Sequence, residues 1–153
     1  MLPPTEKRVP SSTSEDINRR IERETQARVE YYASRPEEIP DRLMELDAEW
    51  DIERMLEANA SALAFVGTVA GLSGRPRWFL LPAFVTAFLF QHALQGWCPP
   101  LPVLRRLGFR TTREIEMERN ALKALRGDYD LLATAKNRLE AALNAVGLRR
   151  SRP

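Results

Sequence analysis

Residues 58–73 read ANASALAFVGTVAGLS, and residues 78–94 read WFLLPAFVTAFLFQHAL. Neither run contains Asp, Glu, Lys or Arg, and the four-residue link between them reads GRPR. A helix that crosses a bilayer needs about 20 apolar residues, with a lower limit of roughly 17. The two runs therefore predict a transmembrane helical hairpin over residues 57–97, within an all-α fold.

Two tryptophans bracket the second run. Trp78 and Trp97 are nineteen positions apart, which on a helix is about 28 Å, close to the thickness of the hydrocarbon layer. Tryptophan favours membrane interfaces because its indole joins an apolar body to one N–H donor. The run between them has no polar stripe that a soluble surface helix would turn to water. The alternative is a pair of core helices in a soluble bundle.

The first run contains a GxxxG motif at Gly67 and Gly71. Small residues four positions apart let two helix backbones approach closely in lipid. The predicted helix–helix contact face consists of Ala60, Ala64, Gly67 and Gly71.

The charges around the runs predict the orientation. The link carries two arginines, whereas the flanks carry six: Arg42, Arg54, Arg105, Arg106, Arg110 and Arg113. Positive residues favour the cytoplasmic side. We therefore expect both termini in the cytoplasm.

The net charge is +2, but the two parts of the chain differ in sign. Residues 1–57 carry nine Lys/Arg and fifteen Asp/Glu, and residues 58–153 carry fourteen and six. The basic part could be attracted either to the acidic part of the chain or to anionic membrane lipid. The basic residues lack interleaved aromatic residues, so we expect no nucleic-acid partner.

The segments before the hairpin predict a disordered tail over residues 1–11 and cytoplasmic amphipathic helices over residues 12–56. Ser12 and Glu15 fit a capping box at the start of the first helix. A second helix is predicted from residue 41, and it continues into the first apolar run because no helix breaker intervenes. After the hairpin, residues 98–110 predict an interfacial linker in which Arg105 and Arg106 meet lipid phosphate.

Residues 111–148 predict a long helix with a heptad pattern, followed by a basic tail at residues 149–153. Thr111 and Glu114 form a capping-box signature, and Gly147 fits a helix stop. The apolar heptad positions form a seam along one side of the helix, which Lys136 interrupts. The seam could pack against the same helix of a second copy, giving a dimer, or against the acidic N-terminal helices. Its apolar members are Ile115, Leu122, Leu125, Tyr129, Leu132, Leu139, Leu143 and Val146.

Cys98 is the only cysteine and the one nucleophile that requires consideration. A thiolate is reactive, and Arg105 and Arg106 would favour one if the chain folded back. One His and one Cys do not make a metal site. We expect no cofactor, no metal and no enzymatic activity, and the simplest interpretation of Cys98 is packing.

Three segments resemble the YgaP-like inner-membrane domain family. They are Gly96-Trp97-Cys98-Pro99, Leu104-Arg105-Arg106-Leu107-Gly108, and Asp51-Ile52-Glu53-Arg54 before the first transmembrane helix. The similarity covers about residues 50–110. It implies a bacterial inner membrane and helix-mediated dimers. Some family members carry a rhodanese domain before the hairpin, whereas this chain has helices there, so sulfur transfer is not implied.

The sequence thus predicts a multi-pass inner-membrane protein that self-associates and serves as a non-enzymatic anchor or interaction scaffold, with a protein partner still to be identified. One alternative is a membrane-proximal thiol, Cys98, that relays sulfane sulfur or senses redox state. Another alternative is a soluble helical adaptor.

Overall fold

The structure, a computed structural model, describes residues 3–130, 132 and 138–147. These residues form helices and turns, with no strand among them, so the predicted all-α class is confirmed. The helices are α1 (Arg8–Ser11), α2 (Glu15–Ala33), α3 (Ile39–Ala48), α4 (Ile52–Leu72), α5 (Leu80–Gln95), α6 (Leu101–Arg106), α7 (Thr112–Arg126) and α8 (Arg138–Ala145).

The described residues divide into two compact units. The first contains residues 3–24 and 49–115, and the second contains residues 25–48 and the described residues from 116 onward. The first unit therefore holds α4, α5 and α6, and the second holds α3 and α8.

α4 and α5 of the first unit form a helical hairpin. The chain reverses direction at Gly74, whose φ of 87° is in the left-handed region that favours glycine, and then makes a short 3₁₀ turn over Pro76–Phe79. The backbones approach closely at Gly67, where an added Cβ would meet Cδ of Pro82 at 2.6 Å. The hairpin packing therefore depends on the small residues of α4.

An apolar core lies at the open end of this hairpin. It joins α1, the first two turns of α4, and the segment from Cys98 into α6. Its buried members are Val9, Ile52, Leu56, Cys98 and Leu101. The backbone N–H of Ile52 also donates to the carbonyl of Arg110 at 2.8 Å, which ties the start of α4 to the residues after α6.

The predicted disorder of residues 1–11 is wrong for residues 5–11. These residues form a 3₁₀ turn and α1, and the side chain of Val9 is buried. The predicted capping box of Ser12 and Glu15 is also wrong, because the Ser12 hydroxyl donates to the carbonyl of Gln95 at 3.2 Å. In both cases a contact distant in sequence replaces the local expectation.

The predicted continuous helix from residue 41 through the first apolar run is also wrong. α3 ends at Ala48, and α4 begins afresh at Ile52. Asp51 caps α4, since its Oδ1 accepts from the N–H of Arg54 at 2.8 Å. Aspartate at this position satisfies a free N–H of the first turn, so it favours a new helix start over continuation.

The predicted start of the long C-terminal helix is confirmed, but the prediction of one continuous helix is wrong. The capping box is confirmed: the Thr111 N–H donates to Oε2 of Glu114 at 2.8 Å, and the Glu114 N–H donates to the Thr111 hydroxyl at 3.2 Å. However, α7 ends at Arg126, because Gly127 adopts a φ of 87° and Asp128 donates back to the carbonyl of Lys123. This is a glycine helix stop.

Gly147 likewise follows the end of α8 with a φ of 76°, as predicted. Lys136 and the basic tail at residues 149–153 lie outside the described residues.

Candidate membrane-anchoring site

Two stretches of the chain are long and apolar enough to cross a membrane: Pro36–Leu72 and Pro76–Gln95. The first includes the break at residues 49–51, so its apolar part lies in α4, whose first turns carry Glu53, Arg54 and Glu57. The uncharged part of α4, residues 58–72, is about 22 Å long at about 1.5 Å per residue, so the charged first turns of α4 would lie near the headgroups.

The apolar surface of this hairpin is exposed in the structure. Only 17% and 6% of the two most apolar windows are buried, whereas the core helix of a soluble protein is mostly buried. Contiguous exposed apolar surface marks an interaction site or a membrane contact. The exposed large apolar residues here are Leu63, Phe65, Val66, Val69, Leu72, Trp78, Phe79, Leu80, Phe84, Phe88, Phe90 and Leu94.

Three hydroxyl groups of the hairpin donate hydrogen bonds to carbonyls of their own helix. The Thr68 hydroxyl donates to the Ala64 carbonyl at 2.8 Å, and the Thr86 hydroxyl donates to the Pro82 carbonyl at 2.7 Å. Ser73 Oγ donates to the carbonyl four residues earlier in the same way. A hydroxyl satisfied in this way needs no partner from water, so these positions are compatible with hydrocarbon.

Trp78 and Trp97 lie at opposite ends of α5, two residues before its first residue and two after its last. Both indole side chains are exposed. The two tryptophans therefore bracket α5, and their placement at the two membrane interfaces stays a prediction.

The GxxxG face of α4 is occupied within the chain. An added Cβ at Gly71 would meet the ring of Phe79 at 2.8 Å, and both glycines are buried. Ala60 and Ala64, the other members of the predicted contact face, are half-buried. The two glycines therefore join the two arms of one hairpin.

The N-terminal segment caps the end of α5. Arg8 Nη1 donates to the Ala93 carbonyl at 3.2 Å, and Ser12 donates to the Gln95 carbonyl. Gly96 has a φ of 77°, and a Cβ there would overlap the Arg8 carbonyl oxygen. The last carbonyls of a helix have no intrahelical donor, so this segment supplies one at the place where α5 ends.

Sequence reasoning missed the role of Arg8 and Ser12. The available signal was Val9, the only large apolar residue between residues 3 and 16. A single apolar residue in a polar segment is a weak indicator of burial, and it does not identify the partner.

Arg105 is fully buried, so the prediction that it contacts lipid phosphate is wrong. Its guanidinium donates to Oε2 and Oε1 of Glu114 at 2.7 and 2.8 Å, to Oδ1 of Asn18 at 2.9 Å, and to the Phe109 carbonyl at 3.0 Å. Burial opposes ionisation of Glu114, but the hydrogen bonds from Arg105 and Thr111 outweigh it and hold the pKa of that carboxyl below its usual value. Arg106, by contrast, is exposed.

Cys98 is 4% exposed and lies in the core with Ile52 and Leu56. Burial raises the pKa of its thiol, which a backbone hydrogen bond involving Leu101 only partly offsets. The expected lowering of this pKa by Arg105 is not found, since that guanidinium pairs with Glu114. Burial and a raised pKa both favour packing over nucleophilic chemistry for this thiol. In the part of the chain that the structure describes, no group of three metal-ligating side chains is present.

In the second unit, Glu118 is a fully buried carboxylate held by two arginines. Its Oε2 accepts from Nε of Arg28 at 3.0 Å, and its Oε1 accepts from Nε of Arg42 at 2.8 Å. Breaking a buried ion pair leaves an uncompensated charge, so this cluster fixes α7 against α2 and α3. Glu118 lies three residues after Ile115 in the heptad pattern, and at this position the contact is with the N-terminal helices of the same chain.

The predicted seam residues have unequal environments. Ile115 and Leu122 are buried, and Tyr129, Leu132 and Leu143 are half-buried. Leu125, Leu139 and Val146 are exposed. The structure therefore buries the start of the seam and leaves several of its later members on the surface.

Comparisons of the chain with protein-family models, curated proteins and solved structures found no match. The resemblance of residues 50–110 to the YgaP-like family stays a prediction.

Proposed function

We propose that the chain is an integral membrane protein anchored by the hairpin of α4 and α5. The observation that supports this most strongly is the exposed apolar surface of the hairpin, on which the hydroxyls of Thr68 and Thr86 are satisfied by their own helices. Lipid tails can cover this surface without leaving the two hydroxyl groups unpaired.

We propose that both termini lie on one side of the membrane, in the cytoplasm. Two spans return the chain to the side where it started. The contact between Arg8 and the Ala93 carbonyl supports this, because it joins the N-terminal segment to the end of the second span. The excess of arginines in the flanks supports the cytoplasmic side.

The proposed role is that of an anchor and interaction scaffold, with no catalytic step, in a bacterial inner membrane. The membrane type rests on the resemblance of residues 50–110. The scaffold role rests on the charged helices of the second unit and on exposed apolar residues such as Leu125 and Leu139. We propose self-association through residues other than Gly67 and Gly71, because those glycines are occupied within the hairpin.

Membrane fractionation with an alkaline carbonate wash tests the anchor. We expect the protein to stay in the pellet after carbonate and to leave it only in detergent. Release by carbonate would contradict the proposal and would favour a soluble helical adaptor. Protease accessibility of tagged termini in inverted vesicles tests the orientation, and protected termini would contradict the cytoplasmic side.

A further inference from the structure

α6 has one buried face and one exposed apolar face. Leu101 and Arg105, four positions apart, are both fully buried. Val103 and Leu107, also four positions apart, are 57% and 71% exposed. Residues four apart share a helix face, so α6 and the residue that follows it present Val103 and Leu107 away from the core.

The buried face fixes the position of α6 along the hairpin. Leu101 packs in the core with Ile52 and Leu56, which belong to the first two turns of α4. The uncharged run of α4 begins at residue 58, about 3 Å further along the helix axis than Leu56. α6 therefore lies beside the end of the proposed span.

Hydrogen bonds hold α6 in this rotation. Arg105 is bound by Glu114 and Asn18, and Arg20 donates to the carbonyls of Arg105 and Arg106 at the end of the helix, at 3.3 and 2.8 Å. α6 cannot turn Val103 and Leu107 inward without breaking these bonds. The exposure of the pair is thus a fixed property of the fold.

Exposed apolar residues of the hairpin also precede this helix in the chain. Leu94 and Trp97, at the end of α5, are exposed and precede α6 in the chain. Arg106 is exposed between Val103 and Leu107, and Asp16 is close enough to interact with it electrostatically. An apolar pair that flanks a cation fits the boundary between acyl chains and phosphate headgroups.

We propose that α6 lies on the phospholipid surface and inserts Val103 and Leu107 into the boundary between headgroups and acyl chains. Arg106, in place of the buried Arg105, reaches the phosphate level. This inference rests on the proposed anchoring of the hairpin, and it adds a contact with the bilayer surface outside the two spans.

The test uses the full chain in proteoliposomes, with single cysteines introduced by Val103→Cys and Leu107→Cys and labelled with a polarity-sensitive fluorophore. Part of the phospholipid carries a nitroxide on its acyl chain, which quenches labels that lie among the lipid chains. Phe84→Cys in α5 is the reference for lipid. Glu22→Cys is the reference for water, since Glu22 is exposed and roughly 200° around α2 from Arg20. The unsubstituted protein gives the labelling background of the buried Cys98.

We expect the nitroxide lipid to lower fluorescence at residues 103 and 107 at least about twofold more than at residue 22, with a blue-shifted emission. Quenching at residue 84 together with water-like signals at 103 and 107 would overturn the surface contact and leave the anchor intact. Water-like signals at all of these positions would overturn both proposals.

Discussion

The guanidinium of Arg105 and the carboxylate of Glu114 face each other through two hydrogen bonds of 2.7 and 2.8 Å, with the arginine fully buried. Such bidentate pairs are among the strong hydrogen bonds of proteins. The pair connects α6 to the first turn of α7, and its arginine also binds Asn18 of α2. It is the polar centre of the first unit.

Replacement of Glu114 by Gln should destabilise the protein strongly. The change leaves the buried Arg105 charge without a counter-ion, which typically costs about 3–5 kcal/mol and corresponds to a fall in Tm of about 6–20 °C. Thermal unfolding in mild detergent measures this. Glu116→Gln is the matched control, because its partner Arg119 forms a more exposed pair and the change should shift Tm by less than about 3 °C. Equal effects of the two substitutions would contradict the central role of the Arg105 pair.

The contribution of Glu114 should depend on pH. Its pKa is lowered in the folded protein, so the stabilisation is complete above the unfolded pKa of about 4.3 and is lost as the pH falls through the lower folded value. The difference in Tm between the unsubstituted protein and Glu114→Gln should therefore be constant from about pH 7 to about pH 5 and shrink below that. A difference that is independent of pH would show that the charge of Glu114 does not matter.

Phe84 and Met44 have nearly equal exposure, 62% and 63%, but only Phe84 lies in the proposed span. An aspartate at the centre of a span costs about 2.5–3.5 kcal/mol, whereas an exposed residue in water tolerates substitution within about 0.5 kcal/mol. We expect Phe84→Asp to reduce the carbonate-resistant fraction and Met44→Asp to leave it unchanged. If both variants behave like the unsubstituted protein, α5 does not face lipid.

Gly67→Leu should loosen the hairpin, because even a single Cβ at this position would overlap Cδ of Pro82. Overpacking of this kind costs about 1–3 kcal/mol. Ala62→Leu, on an exposed position of the same helix, is the control. We expect a lower Tm for Gly67→Leu and no change in the mass of the protein–detergent complex. A loss of mass at unchanged Tm would instead make the GxxxG motif a contact between copies.

Cys98 should be almost unreactive in the folded protein. The side chain is buried and the pKa of its thiol is raised, so little thiolate meets solvent. Maleimide labelling followed by mass spectrometry should be slow in mild detergent and complete after denaturation. Rapid labelling of the folded protein would revive the hypothesis of a sulfur relay or redox sensor.

The sequence predicts those features that depend on neighbouring residues. The two uncharged runs, the capping box of Thr111 and Glu114, and the stop at Gly147 all follow from local composition, and the structure contains each of them. A local pattern gives a wrong prediction where a second local signal competes with it, as at Gly127. The heptad pattern predicts a helix that continues through Gly127, although the freedom of this glycine at positive φ ends α7 there.

The site residues that the sequence could not predict depend on distant partners. Arg105 and Arg106 are adjacent and chemically identical, so composition cannot say which is buried. The packing of Leu101 decides it, since a residue four positions later on the same face points into the core. Glu118 is similar: its burial depends on Arg28 and Arg42, about ninety and seventy-six positions earlier.

The capping of α5 by Arg8 and Ser12 has a consequence for biogenesis. Arg8 is synthesised before its acceptor, the carbonyl of Ala93, which lies 85 positions later. At about 5–20 residues per second, synthesis of the intervening chain takes roughly 4–17 s. During that interval Arg8 and Ser12 lack their acceptors on α5, and the first span enters the bilayer before those contacts exist. A nascent chain arrested before residue 93 should therefore leave Val9 more accessible to protease than the completed protein does, because Cys98 and Leu101 of its core are also missing.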